Sequence, residues 1–226
     1  MMKGKKIVFV SLLPVFAYCQ QRPSTGAWFS VQLPLQLSNK WQLPNDFNYR
    51  TLGNSFKTLQ HLHRAGIRYN ISHNWSVTAG AAFSFTRTSF SKSNTEFGKE
   101  FRWWQELNYK KPVTEKSTVQ FRVRTEERSF SATHAKTAYH AFRYRLKPQL
   151  QQKIAGKWGL LFADEYMQQY ANNTWSFDQN RLIINGTYAL DKHSQLQAGY
   201  MWLQWPANSA QHILTLTFIK NIVING

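Results

Sequence analysis

The 226-residue chain carries 28 Lys and Arg against 11 Asp and Glu, a formal net charge of +17, yet only 17% of its residues are charged and 15% are aromatic. Soluble domains average about 25% charged residues, so this balance argues against a surface that meets water everywhere. The length suits one domain rather than two, and the single cysteine, Cys19, excludes a disulfide framework.

An export signal opens the chain. Lys3, Lys5 and Lys6 form a basic n-region, residues 7–16 an apolar h-region, and Ala17-Tyr18-Cys19 an A-x-A-like cleavage site. The apolar run is too short to cross a bilayer as a helix, which needs about 20 residues. Residues 1–19 are therefore read as a cleaved signal peptide, 20–25 as a short leader and 26–226 as a single exported domain. Tyr18 fits poorly before a lipidated cysteine, but the sequence leaves open whether Cys19 is a lipidation site or the last residue removed. Without the three signal lysines the side-chain charge is roughly +14. In an exported chain such a charge points to lipopolysaccharide phosphates rather than to nucleic acid.

Beyond the leader, apolar residues recur at every second position, and no useful window shows the 3.6-residue period of a helix. Ala27, Phe29, Val31, Leu33, Leu35 and Leu37 alternate with Trp28, Ser30, Gln32, Pro34 and Gln36. Trp41, Leu43, Phe47 and Tyr49 alternate with Gln42, Pro44, Asn48 and Arg50. Residues 58–71 read less cleanly, because Leu62 falls among Gln60, Arg64 and Arg68. Trp75, Val77, Ala79, Ala81, Phe83 and Phe85 restore the pattern. Phe101, Trp103, Leu107 and Tyr109 then oppose Arg102, Trp104, Glu106 and Asn108, and Val119, Phe121 and Val123 oppose Gln120, Arg122 and Arg124. Phe142, Tyr144, Leu146 and Leu150 oppose Arg143, Arg145, Lys147 and Gln149. Within 157–170, Asp164 shares a face with Leu160 and Phe162, which predicts a bulge or a strand leaving the membrane. Leu182, Ile184, Tyr188 and Leu190, then Leu196, Ala198, Tyr200 and Trp202, and finally Leu214, Leu216 and Phe218 complete the series.

These segments, of about ten to fourteen residues, are longer than the five or six of an ordinary soluble strand and are enough for a tilted strand to cross a bilayer. Short turns at 38–40, 72–74, 112–116, 155–156 and 191–192 alternate with loops at 88–99 and 131–138 and smaller ones near Gly53, Asn172 and 206–209. Transmembrane barrels pair short periplasmic turns with longer extracellular loops in this way. Trp41, Trp75 and Trp158 each open a strand just after a short turn, where an interfacial aromatic girdle belongs. The segments number eleven, whereas bacterial single-chain barrels favour even numbers. That preference favours ten or twelve strands, all antiparallel, with either 27–37 not a full strand or one more hidden. The sequence leaves the number open between ten, eleven and twelve.

Several stretches together resemble a Bacteroidota outer-membrane family, number 2490 in the domain-of-unknown-function series. They are Gly26-Ala27-Trp28-Phe29-Ser30, Leu37-Ser38-Asn39-Lys40-Trp41, Asn74-Trp75-Ser76, Phe101-Arg102-Trp103-Trp104-Gln105-Glu106, Tyr144-Arg145-Leu146-Lys147, Asp164-Glu165-Tyr166 and Asn180-Arg181-Leu182. The resemblance covers nearly everything from Ser24 onward. It implies a Gram-negative outer-membrane barrel with no assigned activity, and so speaks to location more than to mechanism.

The polar faces carry the chemistry. Arg64, Arg68, Arg102, Arg122, Arg124, Arg143, Arg145 and Arg181 fall there, with Glu106, Glu126 and Glu165 as counter-ions. Turned into a barrel lumen, they either pack it through Arg–Glu pairs or make an anion-attracting interior, since rings of Arg favour anions. His61 and His63 have the i, i+2 spacing of two metal ligands, but a catalytic zinc needs three protein ligands and no second cluster follows. No metal, cofactor or catalytic residue is expected. A lipid-modifying enzyme would need a Ser–His–acid set. His134, His140 and His212 sit near an outer rim, yet no Gly-x-Ser-x-Gly elbow singles out a nucleophile. The loops at 88–99, with Lys92, Asn94 and Glu96, and at 131–138 name no ligand.

The sequence thus predicts an all-β, antiparallel, up-and-down transmembrane barrel of about 10–12 strands, structural or passively binding and admitting small anions. A lipid-modifying outer-membrane enzyme is the alternative, and a soluble periplasmic ligand-binding barrel a third. The partners expected are membrane lipid, with lipopolysaccharide a candidate, and the barrel-assembly machinery during insertion; nucleic acid is not among them. Oligomeric state is not legible.

Overall fold

Four of the short turns repeat one local design. Leu37, Ile71, Val113 and Leu190 donate their N–H groups to the carbonyls of Trp41, Trp75, Ser117 and Ser194 at 2.9–3.0 Å. The residue that follows each donor is Ser38, Ser72, Thr114 or Asp191. Its side-chain oxygen accepts from the N–H groups two and three residues on. These short side chains mimic a backbone acceptor and so close the turn. At the fifth short turn Gly156 adopts φ 53°, which costs a glycine nothing.

The computed structural model describes residues 24–53, 56–88 and 96–224. The signal peptide and most of the leader read from the sequence lie outside these residues, as do Lys92 and Asn94. The strands are β1 (Ser24–Gln32), β2 (Leu35–Gln36), β3 (Trp41–Leu43), β4 (Asn45–Leu52), β5 (Lys57–Asn70), β6 (Trp75–Arg87) and β7 (Phe97–Pro112). They continue with β8 (Ser117–Phe130), β9 (Tyr139–Ala155), β10 (Trp158–Ala171), β11 (Thr174–Ala189), β12 (Ser194–Gln204), β13 (Ala210–Lys220) and β14 (Ile222–Val223). Pro34 and Pro44, which have no N–H for the ladder, split the first two staves of the barrel into β1/β2 and β3/β4, and Asn221 splits the last into β13/β14.

Eleven staves result among the described residues, in one closed sheet. Segment 27–37 is a full stave and no further one is found among the described residues, so the number, expected between ten and twelve, is eleven, odd against the preference for an even count. One expectation is corrected: the sheet is not wholly antiparallel. Hairpin connections reverse direction at every step, so an odd number leaves the first and last staves pointing the same way. Accordingly β1 closes against β13 in parallel, from Ser24 opposite Gln211 to Gln32 opposite Ile219, and β14 runs parallel to β2. Closure removes the free edges that an open sheet would present.

The alternation sorts side chains as the sequence predicts. Leu214, Ile67, Trp103 and Phe83 are each more than half exposed on the outside wall, in company with most of the other large apolar residues of the pattern. An apolar belt of this extent suits hydrocarbon rather than water. At the short-turn rim Trp41, Trp75 and Trp158 each pack at a tilt of 48–56° against a directly opposite tyrosine, Tyr69, Tyr109 and Tyr188, with ring centroids 4.6–4.8 Å apart.

Two small apolar clusters lie inside. Leu62, ambiguous in the sequence, is buried in the lumen with Ala82 and Trp104. The Trp104 ring rests on Gly66 and Gly80, which face each other across β5 and β6; a Cβ on Gly80 would stand 2.7 Å from Trp104 Cζ2. Met201, Leu203 and Ile213 form the second cluster, with Trp28, Ile183 and Trp205 packed against it. The bulge expected near Asp164 lies a little further along. The β10–β11 register shifts between Met167 and Gln168, making Asp178 the extra residue. Asp164 itself sits in a regular stretch of that ladder opposite Leu182, on the outer face, hydrogen-bonded to Asn180.

Candidate functional site in the barrel lumen

Alternation places Glu100, Arg102, Glu106 and Asn108 of β7 on the inside wall, and Arg122, Arg124, Glu126 and Arg128 of β8 beside them. From β9, β10 and β11 come Arg143, Arg145, Glu165 and Arg181, all buried. Three carboxylates organise this wall. Glu106 pairs with Arg124 at 2.5 Å, Arg122 at 3.6 Å and Arg68 at 3.7 Å. Glu126 pairs with Arg145 at 2.5 Å and lies 3.6–3.9 Å from Arg143, Arg124 and Arg102. Glu165 holds Arg145 at 2.6 Å, Arg181 at 3.4 Å, and Arg122.

Every arginine and glutamate singled out in the sequence therefore faces the lumen. Seven of the eight arginines join this network; the eighth, Arg64, instead pairs with Asp46 at 3.0 Å. Taking a charge out of water costs several kcal/mol per ion, and shared carboxylates with multiple donors offset that cost.

Sequence reasoning missed part of the site. Glu100, which binds Arg102 at 2.6 Å and Arg128 at 2.5 Å, sits two residues before Arg102 and so shares its face. The same period-two rule would have found Asp46 and Arg128, and it does put Arg50 and Lys147 on the polar faces, though the sequence does not single them out as site residues. Asp178, 3.2 Å from Arg143, carries no such signal, because the bulge turns it inward. Among the described residues Arg50, Arg64, Arg68, Arg102, Arg122, Arg124, Arg128, Arg143, Arg145, Arg181 and Lys147 share the interior with Asp46, Glu100, Glu106, Glu126, Glu165 and Asp178, and Lys99 and Lys136 line the long-loop cavity as well. Arg50 and Lys147 make no ion pair among the described residues. The interior is positive.

Two cavities flank the ion-pair layer. One, of about 470 Å³, opens at the long-loop rim between Trp28, Arg50, Leu52, Leu62, Arg102, Arg128, Arg143, Arg181 and Trp205. The other, of about 290 Å³, opens at the short-turn rim beside Gln42, Arg68, Glu106, Gln120 and Arg122. Arg64 lines both. Over the first mouth, His134 Nδ1 and Glu96 Oε1 approach to 2.9 Å, tying the 131–138 loop to the start of β7. The hydrogen bond from His134 holds the Glu96 carboxyl below the usual carboxylate range.

The outer face has its own polar contacts. His63 stacks on Phe47 with centroids 4.2 Å apart, and its Nε2 lies 2.8 Å from Asn45 Oδ1. Near the long-loop rim Ser129 Oγ is 3.0 Å from His140 Nδ1, and His212 Nδ1 contacts the Tyr200 hydroxyl. Among the described residues no group of three His, Cys, Asp or Glu is placed to hold a metal.

Comparison with known proteins fits the architecture. A solved structure titled "NanC porin structure in rhombohedral crystal form" superposes with a TM-score of 0.50 over 84% of this chain and 94% of that one, at 9% identity. Likeness at that identity speaks for the fold alone. No curated protein matches the chain in sequence. The family described as "Protein of unknown function (DUF2490)" matches residues 25–212, and the chain belongs to that family.

Proposed function

We propose that this is an outer-membrane protein of a Gram-negative bacterium whose lumen draws in small anions and passes them between its two cavities. The observation that carries the reading is the excess of lumen cations over carboxylates, with Arg64 shared by both cavities. A low-dielectric wall concentrates that positive field, and rings of arginine favour anions in pores. By the usual asymmetry of such barrels, the larger cavity opens to the outside and the short turns face the periplasm. Recovery of the protein in carbonate-washed envelopes tests the location. Conductance in a planar bilayer under a KCl gradient tests the passage. The reversal potential should favour chloride, and Arg64→Gln should weaken that preference. An absent conductance, or a chloride preference indifferent to the substitution, rejects it.

A second reading, lipid modification, is favoured by the Ser129–His140 contact on the outer wall near the long-loop rim. It ranks lower because His140 makes no other side-chain hydrogen bond among the described residues, so no acid orients it. Lipid profiles identical with wild-type and Ser129→Ala protein would dismiss it.

A further inference from the structure

We infer that the long-loop cavity is a binding site for an organic anion with an apolar body, a carboxylate or phosphate ester on an aromatic ring or short hydrocarbon, rather than for a bare inorganic ion. This rests on the reading of the lumen as anion-attracting and adds the class of ligand.

The two walls of the cavity differ. On one, Arg102 and Arg128 are matched by Glu100, and Arg143 by Asp178. Arg50 is not matched. Its Nη1 donates to Gln60 Oε1 at 2.8 Å, its Nε is buried without a partner, and no carboxylate pairs with it among the described residues. Its guanidinium lies 3.8 Å from the centroid of the Trp28 ring, and that of Arg181 lies 5.0 Å from the same centroid. An indole between two guanidiniums is stabilised by cation–π attraction, and it keeps two like charges close. Arg181 is already paired with Glu165 at 3.4 Å, so an acidic group is the complement that Arg50 lacks among the described residues.

The wall around Arg50 is otherwise apolar. Trp28 stands opposite Arg50 in the sheet, Leu52 lies two residues along the same strand, and Leu62 and Trp205 complete the lining, with Trp205 backed by Met201, Leu203 and Ile213. A phosphate or chloride ion would meet the cations and leave this wall wet. A ring or short chain attached to the acid would cover it, gaining in proportion to the apolar area removed from water. The volume of about 470 Å³ falls in the range of small-molecule sites, which combine an apolar lining with a few convergent polar groups.

The experiment titrates the mature protein in detergent with phenyl phosphate, inorganic phosphate and benzyl alcohol, read by tryptophan fluorescence and calorimetry. Phenyl phosphate should bind at least about tenfold more tightly than either of the others. Arg50→Gln, checked for retained heat-modifiable gel mobility, should lower phenyl phosphate affinity about tenfold and leave benzyl alcohol unchanged. Should that variant not fold, Leu52→Ser probes the apolar lining and should bring phenyl phosphate toward the affinity of inorganic phosphate. Equal binding of the two phosphates, or indifference to these substitutions, overturns the inference. Chloride-selective conductance without aryl preference would sink this inference and leave the passage reading standing; aryl phosphate binding without conductance would do the reverse.

Discussion

Glu126 and Arg145 meet diagonally across β8 and β9. In register Glu126 stands opposite Arg143, and Arg145 opposite Arg124, yet Arg145 Nη1 reaches Glu126 Oε1 at 2.5 Å. The diagonal lets one carboxylate serve cations from three strands: Arg102 on β7, Arg124 on its own strand, and Arg143 and Arg145 on β9.

Removing that carboxylate should therefore be costly. Glu126→Ala leaves buried guanidiniums short of a counter-ion, and breaking a buried pair from one side costs about 3–5 kcal/mol. The loss reflects stranded charge more than the net worth of the pair. Urea unfolding of the protein in lipid vesicles should show a clearly lowered midpoint, whereas Thr125→Ala, on the outside wall, should shift it little. Equal midpoints would mean the network relaxes around the gap.

Steric demand distinguishes two glycines that look alike in sequence. A Cβ at Gly80 would lie 2.2 Å from the Ala65 carbonyl oxygen as well as against Trp104, whereas at Gly186 the nearest atom would be 3.7 Å away. Gly80→Ala should destabilise by about 1–3 kcal/mol, and Gly186→Ala should be tolerated. The same vesicle unfolding assay reads both.

The outside wall makes a separate demand. Leu182, near the middle of β11, is 42% exposed on the apolar belt. Leu182→Arg should cost about 2–4 kcal/mol when the barrel is folded into a bilayer, as charges do at the midplane. A loss below half a kcal/mol would place that belt outside hydrocarbon.

Over the larger cavity the prediction concerns pH. The Glu96 carboxyl is lowered chiefly by the hydrogen bond from His134, so the contact is fully present above the ordinary glutamate pKa of about 4.3. It is lost as pH falls through the lowered value. Protection of the 131–138 amides against hydrogen exchange, relative to the unstructured rate at each pH, should hold down to about pH 4 and fall below it, and Glu96→Gln should remove the step. A step near neutrality instead would assign the closure to another group.

The sequence shows the two walls because a strand has only two sides. Once Trp103 and Leu107 are assigned to the outside, Arg102 and Glu106 have nowhere else to go, and in a closed sheet every inward residue reaches the same lumen. Asp178 escapes this logic because one extra residue in β11 changes its side. Trp104 over Gly66 and Gly80 escapes it as well, since the contact joins three strands and no local pattern records it. The stave number stays open for a different reason. Eleven segments are visible, but a preference drawn from other barrels pulls toward an even count, and only the parallel hydrogen bonds from Ser24–Gln32 to β13 show how an odd set closes.

That parallel seam has a topological consequence. Ser24 leaves β1 at the mouth beside the 205–209 turn, while Ile224 donates its N–H to Gln36 near the opposite mouth. Ser24 and Ile224 therefore lie at opposite mouths of the barrel. A circular permutant made by splicing these ends would need a linker as long as the barrel is tall. Under the proposed outer-membrane location, reporters joined next to Ser24 and Ile224 should answer to reagents applied on opposite sides of the membrane.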